Sequence, residues 1–191
     1  MAVYFTSDLH LGHEKILSKR TQFQSIDEHD MFLIEKWNKK VKKNDEVYIL
    51  GDLSFRSRHQ VSYYLSQMRG KKHLIIGNHD NCWMRKMRDI EEFFESMDYL
   101  KTIKFEKKQI TLCHYPMLEW PGSRYLESGT SFLIHGHIHC STDSEAYRHI
   151  KIYQPHALNA GVDINDFQPV TFEELKANND RWYNRSMLIV R

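Results

Sequence analysis

The sequence predicts an α/β fold organised around a largely parallel sheet, and three observations predict it. Short apolar runs rich in β-branched and aromatic residues, 2–6, 46–50 and 73–76, alternate with stretches of helical period. Each run breaks at a polar cluster: Ser7-Asp8, Gly51-Asp52, then Gly77-Asn78-His79-Asp80. The rhythm of strand, helix, strand, helix, strand implies right-handed crossovers, which leave neighbouring strands parallel. Ligands gather beyond the carboxyl ends of strands in such sheets, so Asp8, Asp52 and Asn78 are expected together at one edge.

In chain order, Ala2-Val3-Tyr4-Phe5-Thr6 reads as a strand buried on both faces. It delivers Asp8-Leu9-His10, where an extended backbone would set Asp8 and His10 on one side. Ser25-Ile26-Asp27-Glu28 looks like a helix start, and Met31, Ile34 and Trp37 at helical spacing extend that helix over about 27–41. Glu46 to Leu50 is the second strand. Val61, Tyr64, Leu65 and Met68 mark another helix, closed by Gly70, before the strand His73 to Ile76. Residues 82–96 are helix-compatible, with Met84, Met87, Ile90, Phe93 and Phe94 as a packing face. Residues 99–105 and 109–113 read as strands joined at Glu106-Lys107-Lys108, and a turn-rich loop runs from Pro116 to Thr130. Phe132-Leu133-Ile134 is a buried strand ending at His135-Gly136-His137-Ile138-His139, where Gly136 is expected to turn the chain sharply. Further strands are expected at 149–153, 157–162 and 181–191, and a short capped helix at 171–175.

Composition narrows the function. A chain of 191 residues fits one domain over 1–191 and can bury a proper core. The 27 basic and 25 acidic residues leave a net charge of +2, too small a field to announce nucleic acid. The run Lys39-Lys40-Val41-Lys42-Lys43 reads as a solvated helix end. The segment 1–7 lacks the length and charged flank of a signal peptide, and no apolar run reaches the roughly 18 residues needed to cross a membrane. A cytoplasmic protein with no membrane partner is expected. Cys82, Cys113 and Cys140 suit a reducing compartment, and Cys113 and Cys140 are read as packing residues.

The run ends carry Asp8, His10, Asp52, Asn78, His79, His114, His137 and His139. Carboxylate, amide oxygen and imidazole without thiolate suit manganese, iron or zinc. These donors are too many for one open catalytic ion, whereas two ions sharing a carboxylate would use seven of them.

In order, the chain reads Asp8-Leu9-His10, Gly51-Asp52, Gly77-Asn78-His79-Asp80, His114 and Gly136-His137-Ile138-His139, each after an apolar run. This series resembles the calcineurin-like metallophosphoesterases. The resemblance implies a four-layer αββα sandwich of two mixed β-sheets flanked by helices. It also implies two divalent metal ions, manganese or iron first and zinc next. Asp8, His10 and His139 would hold one ion, Asn78, His114 and His137 the other, and Asp52 would bridge them. The implied activity is phosphomonoester or phosphodiester hydrolysis on a small or nucleotide-like substrate, with a metal-bridging hydroxide attacking phosphorus. His79 would assist the leaving group. Where family phosphatases continue Gly-Asp-x-x-Asp-Arg-Gly, this chain reads Gly51-Asp52-Leu53-Ser54-Phe55-Arg56-Ser57. Phe55 thus replaces the acid that would orient the catalytic histidine, Arg56 stands where a phosphate-binding arginine would, and Asp80 is a candidate partner for His79. His13 and His135 match no ligand position and are read as supporting or loop residues. The loop holding Trp120, Arg124 and Tyr125, and the segment holding Asn81 and Trp83, would set specificity, with aromatics that could stack a base or merely pack. A nuclease on single strands or ends, and a non-catalytic binding module of the same fold, are the competing readings. Oligomeric state is not legible.

Overall fold

The computed structural model of the chain describes residues 1–125 and 129–185. Eight strands and five helices follow in the order β1 (Val3–Thr6), α1 (Ile26–Lys40), β2 (Glu46–Ile49), α2 (Val61–Leu65), β3 (Lys71–Ile75), α3 (Asn81–Met84), β4 (Ser96–Asp98), β5 (Leu100–Phe105), β6 (Lys108–Cys113), β7 (Ser131–His135), α4 (Glu145–Tyr153), β8 (Ala157–Asn159) and α5 (Phe172–Arg185).

The strands form two sheets of four, β1-β2-β3-β4 and β5-β6-β7-β8. Every named pair in the first is parallel, and an antiparallel bridge joins Phe5 to Val170 at its edge. The second sheet is mixed, with β5 and β6 antiparallel and the other pairs parallel.

Period-two alternation explains the layering. Tyr4, Val47, Ile49 and Leu74 face a core shared with Leu33, Ile34 and Trp37 of α1 and with Val61, Tyr64 and Leu65 of α2. Their neighbours Phe5, Tyr48, Leu50 and Ile75 face the opposite way. They meet Ile110, Leu112, Phe132, Ile134 and Leu158 of the second sheet. Leu133 and Ala157 then face outward onto Tyr147 and Ile150 of α4. These three apolar layers make the helix, sheet, sheet, helix sandwich, and each fully buried Leu or Ile in them contributes on the order of 1.5–3 kcal/mol.

Local signals fix the long helices. The Ser25 hydroxyl accepts from the Glu28 amide at 3.2 Å, and the Gln24 amide donates to Glu28 Oε2 at 2.7 Å. Two otherwise orphaned donors are thereby satisfied at the start of α1. At the start of α5 the Thr171 amide donates to Glu174 Oε2 at 2.8 Å.

Three expected elements differ. Residues 149–153 lie in α4, where Ser144 caps the Tyr147 amide and Tyr147 and Ile150 share the buried face. Residues 181–185 belong to α5, and 186–191 lie outside the described residues. The segment 82–96 keeps only the single turn α3 and a 3-10 turn at Ile90–Glu92. Its apolar side chains pack as expected, without a continuous helix.

Candidate metal centre

Parallel register aligns the strand ends. Thr6 pairs with Ile49 and Ile49 with Leu74, so the loops after β1, β2 and β3 emerge side by side. Backbone bonds then join them: the Asp8 amide donates to Gly51 O and the His10 amide to Asp52 O, both at 3.0 Å. Asp80 locks the second loop to the third. Its two oxygens accept from the amides of Asp52, Leu53 and Gly77 and from the Trp83 indole, at 2.8–2.9 Å. The carboxylate offers the acceptor sites that these four donors fill, so Asp80 fixes the loops and is not the partner of His79. Burial pushes its carboxyl up, and the Gly77 amide and the other donors oppose that shift.

The backbone carrying the side chains is strained. Asp8 (φ 58°), His10 (54°), Asp52 (55°), Arg56 (50°), His137 (71°) and His139 (51°) are left-handed, six of the ten non-glycine residues with positive φ among those described. Such residues cost on the order of 1–3 kcal/mol each and gather where function sets the geometry. Asp8 and His10 are thus not extended, and local coiling rather than strand alternation aims them. Nor is Gly136 left-handed. A Cβ there would meet Ser7 Oγ at 1.8 Å and Asp8 Oδ2 at 2.7 Å, so close approach is what requires glycine.

The side chains converge. His10 Nε2 and His139 Nε2 are 3.2 Å apart, and His139 Nε2 lies 3.9 Å from Asp8 Oδ1. Asp52 Oδ2 sits between the two halves, 3.7 Å from His10 Nε2, 3.6 Å from His114 Nε2 and 3.8 Å from His79 Nε2. On the far side Asn78 Oδ1 is 2.9 Å from His114 Nε2 and 3.1 Å from His137 Nδ1. Asp8, His10 and His139 form one group able to hold a metal ion, and Asp8, Asp52 and His114 another. Asp8, His10, Asp52 and His114 are buried while Asn78 and His137 are exposed, so the centre is deep at one end and open at the other.

Tautomers make the donor set informative. His114 Nδ1 faces Leu50 O at 2.8 Å, a pure acceptor, so that nitrogen carries a proton, and in the neutral ring Nε2 turns its lone pair toward the oxygens of Asn78 and Asp52. His139 Nδ1 likewise donates to Asp163 Oδ2 at 3.0 Å, leaving its Nε2 lone pair toward His10 and Asp8. With neutral rings, acceptors gather around Asp52 and Asp8, and a cation among them relieves their repulsion. Asp8 adds to the case. It is fully buried, held by the Ser7 hydroxyl and the His137 amide, with no Lys or Arg among the described residues bonded to it. Burial pushes its carboxyl up, although His139 and His114 pull it down. Burial first, and then His139, drives the His10 imidazole far below its usual range, so it stays neutral. A divalent cation would satisfy all of these groups at once.

Two supporting residues carry no sequence signal. Arg20 is 1% exposed and grips Asp163 through Nε at 2.8 Å and a terminal nitrogen at 3.0 Å. It also donates to the carbonyls of Asp8 and Leu9. Burial raises the Asp163 carboxyl, but bonds from His139 and Arg20 outweigh it and hold the group well below the usual carboxylate range. Asp163 thereby orients His139 as a carboxylate orients a metal-binding imidazole. Neither Arg20 nor Asp163 belongs to a motif, and only the fold brings the two together across 143 residues.

His79 stands on the open side. Its ring centroid lies 4.0 Å from that of Phe55, the two rings tilted by 43°, and the Arg56 guanidinium sits 5.1 Å from the Phe55 ring centroid. His13 reaches within 3.4 Å of His10, Nδ1 to Nδ1, and His135 is buried with Nε2 unpaired; burial lowers its imidazole to about 4. Trp120 is packed in the core under a bond to Ser131 Oγ, so it does not face a ligand. Cys113 packs as expected, whereas Cys140 is exposed.

The family model for the calcineurin-like phosphoesterase superfamily domain matches residues 1–162. The chain belongs to this superfamily. Its members generally bind divalent metals, in keeping with the Asp and His groups above. The Gene 66 protein of Mycobacterium phage D29 is 31% identical over 72% of this chain and 78% of its own length. The Gene 66 protein of Mycobacterium phage L5 is 42% identical over 40% of this chain, a match spanning only 39% of that relative. Among solved structures, a protein of unknown function from Aquifex aeolicus superposes with a TM-score of 0.66 at 27% identity, over 92% of this chain and 97% of that one. No helix among the described residues is long and apolar enough to cross a membrane.

Proposed function

We propose that this superfamily member is a dinuclear-metal phosphoester hydrolase acting on a small or nucleotide-like phosphodiester or phosphomonoester. One observation carries the reading: His114 and His139, whose Nδ1 atoms are engaged by Leu50 O and Asp163, bring their Nε2 atoms to the oxygens of Asp52 and Asp8, the convergence of donors that two cations would use. Asp8, His10 and His139 would hold one ion, Asn78, His114 and His137 the second, with Asp52 between them. Manganese or iron suits this oxygen and imidazole set best, and zinc is compatible with it. Two such ions would supply Lewis acidity toward phosphoryl oxygens and an acidified water at neutral pH.

The chain's own groups supply the rest. His79, 31% exposed at its side chain, faces the open end, where its Nε2 can give a proton to the departing oxygen. The Phe55 face can hold that ring when it is charged, by cation–π attraction. Arg56 is exposed beside it and can pair with a phosphate of the substrate. Asp163 and Arg20 keep His139 in one tautomer and one orientation. A nuclease acting on single strands or ends is the second reading, favoured by the cations beside Phe55.

The test is hydrolysis of bis-p-nitrophenyl phosphate and p-nitrophenyl phosphate by metal-stripped protein refilled with manganese, alongside Asp52→Asn and His79→Ala. Manganese should restore turnover, and each substitution should lower kcat at least 100-fold, in line with the typical contribution of general acid catalysis. Refilled protein that cleaves neither ester nor a panel of nucleotides would overturn the catalytic reading.

A further inference from the structure

A cavity of about 220 Å³ lies beside the metal centre, between the loop after β2 and the segment running through α3. Its apolar wall is Val61, Trp83 and Met87, and its cations are Arg56, Arg58 and Lys86. No carboxylate among the described residues lines it. Arg58 is already paired with Asp27, but Arg56 and Lys86 make no ion pair among the described residues. The cavity is coupled to the centre at two points. Trp83 is bonded to Asp80, which holds the Asp52 and Asn78 loops together. Arg56 stacks on Phe55, whose ring touches that of His79.

A patch of apolar wall flanked by two unpaired cations and free of acid selects a flat ring that carries negative charge. Complete ligand sites run to about 300–1,000 Å³, so this cavity takes one arm of a substrate whose remainder lies over the metals. We propose that it holds the nucleotidyl arm of a phosphodiester, with the base against Trp83, Met87 and Val61 and a non-scissile phosphate between Arg56 and Lys86. The inference rests on the hydrolase reading above and, within it, favours the nuclease form: the substrate is a short or terminal piece of nucleic acid, cleaved next to a nucleotide seated in this cavity. The protein's near-neutral charge fits a substrate engaged at a few phosphates rather than along a duplex.

The experiment follows the Trp83 indole N–H by NMR in the full chain, with and without manganese, as AMP, adenosine or inorganic phosphate is added; Trp83→Phe assigns the signal. AMP should shift it, with an affinity at least tenfold above that of adenosine or phosphate, and Lys86→Glu should weaken AMP at least tenfold. Equal response to phosphate alone marks an anion site only, equal response to adenosine removes the role of the cations, and an unchanged affinity in Lys86→Glu removes Lys86; each overturns the proposal. In parallel, turnover of a 5′-phosphorylated thymidine dinucleotide relative to bis-p-nitrophenyl phosphate should fall at least tenfold in Lys86→Glu, and an unchanged ratio contradicts the assignment. AMP binding in a protein that cleaves no ester would sink the hydrolase reading while the binding site stands.

Discussion

Asp80→Asn tests what holds the motif loops together. Each carboxylate oxygen of Asp80 accepts two N–H donors: Oδ1 from Leu53 and the Trp83 indole, Oδ2 from Asp52 and Gly77. An asparagine in the same place must put its NH2 group against one of these pairs, whichever way it is flipped. Two charge-assisted bonds of about 1.5–3 kcal/mol each are lost, a total of roughly 3–6 kcal/mol. A protein of this size shifts by about 2–4 °C per kcal/mol, so thermal unfolding followed by circular dichroism should show Tm lower by roughly 6–24 °C. Trp83→Phe removes one donor of the four and leaves the carboxylate intact, so it should cost far less. Because Asp52 and Asn78 both sit on the loops that Asp80 ties, manganese affinity should fall with Tm in Asp80→Asn. A variant that melts within 2 °C of wild type, or no less stable than Trp83→Phe, would refute the reasoning.

Asp163→Asn leaves a neutral amide against His139 and Arg20, and should weaken manganese binding about 10–100-fold by calorimetry, as loss of such a supporting carboxylate typically does. Gly136→Ala drives a methyl into Ser7 Oγ and should cost about 1–3 kcal/mol, and Ser7→Ala in the same chain should return part of it in chemical denaturation. His73 titrates below its ordinary 6.5 because it is partly buried, so between 6.5 and its folded value the unfolded chain binds the extra proton. Stability therefore falls as pH falls through that window. Replacing it with leucine should flatten the decline of Tm from pH 7 to 5, and an unflattened decline assigns the acid sensitivity elsewhere.

The first half of the fold is legible because each buried strand there reads as an unbroken apolar run and each ends in residues that only a turn tolerates. Ser25 with Glu28, and Thr171 with Glu174, announce helix starts by a mechanism that needs no tertiary contact. α4 reads as a strand because Ile150 and Ile152 alternate, yet Ile152 is 66% exposed, and the true period is Tyr147 to Ile150 under the Ser144 cap. The chemical types gathered at the strand ends are visible in the motifs. Their left-handed backbone is not, since Asp8, His10 and His139 adopt it under the pull of neighbouring loops. Arg20 and Asp163 could not be found from spacing, because 143 residues separate them and their pairing exists only once the two sheets have packed.

The most direct measurement is a crystal of the chain grown with manganese and measured for anomalous scattering. Two peaks should flank Asp52 Oδ2, one among Asp8, His10 and His139 and one among Asn78, His114 and His137. A single peak, or none with the imidazoles still facing one another, would contradict the two-ion centre.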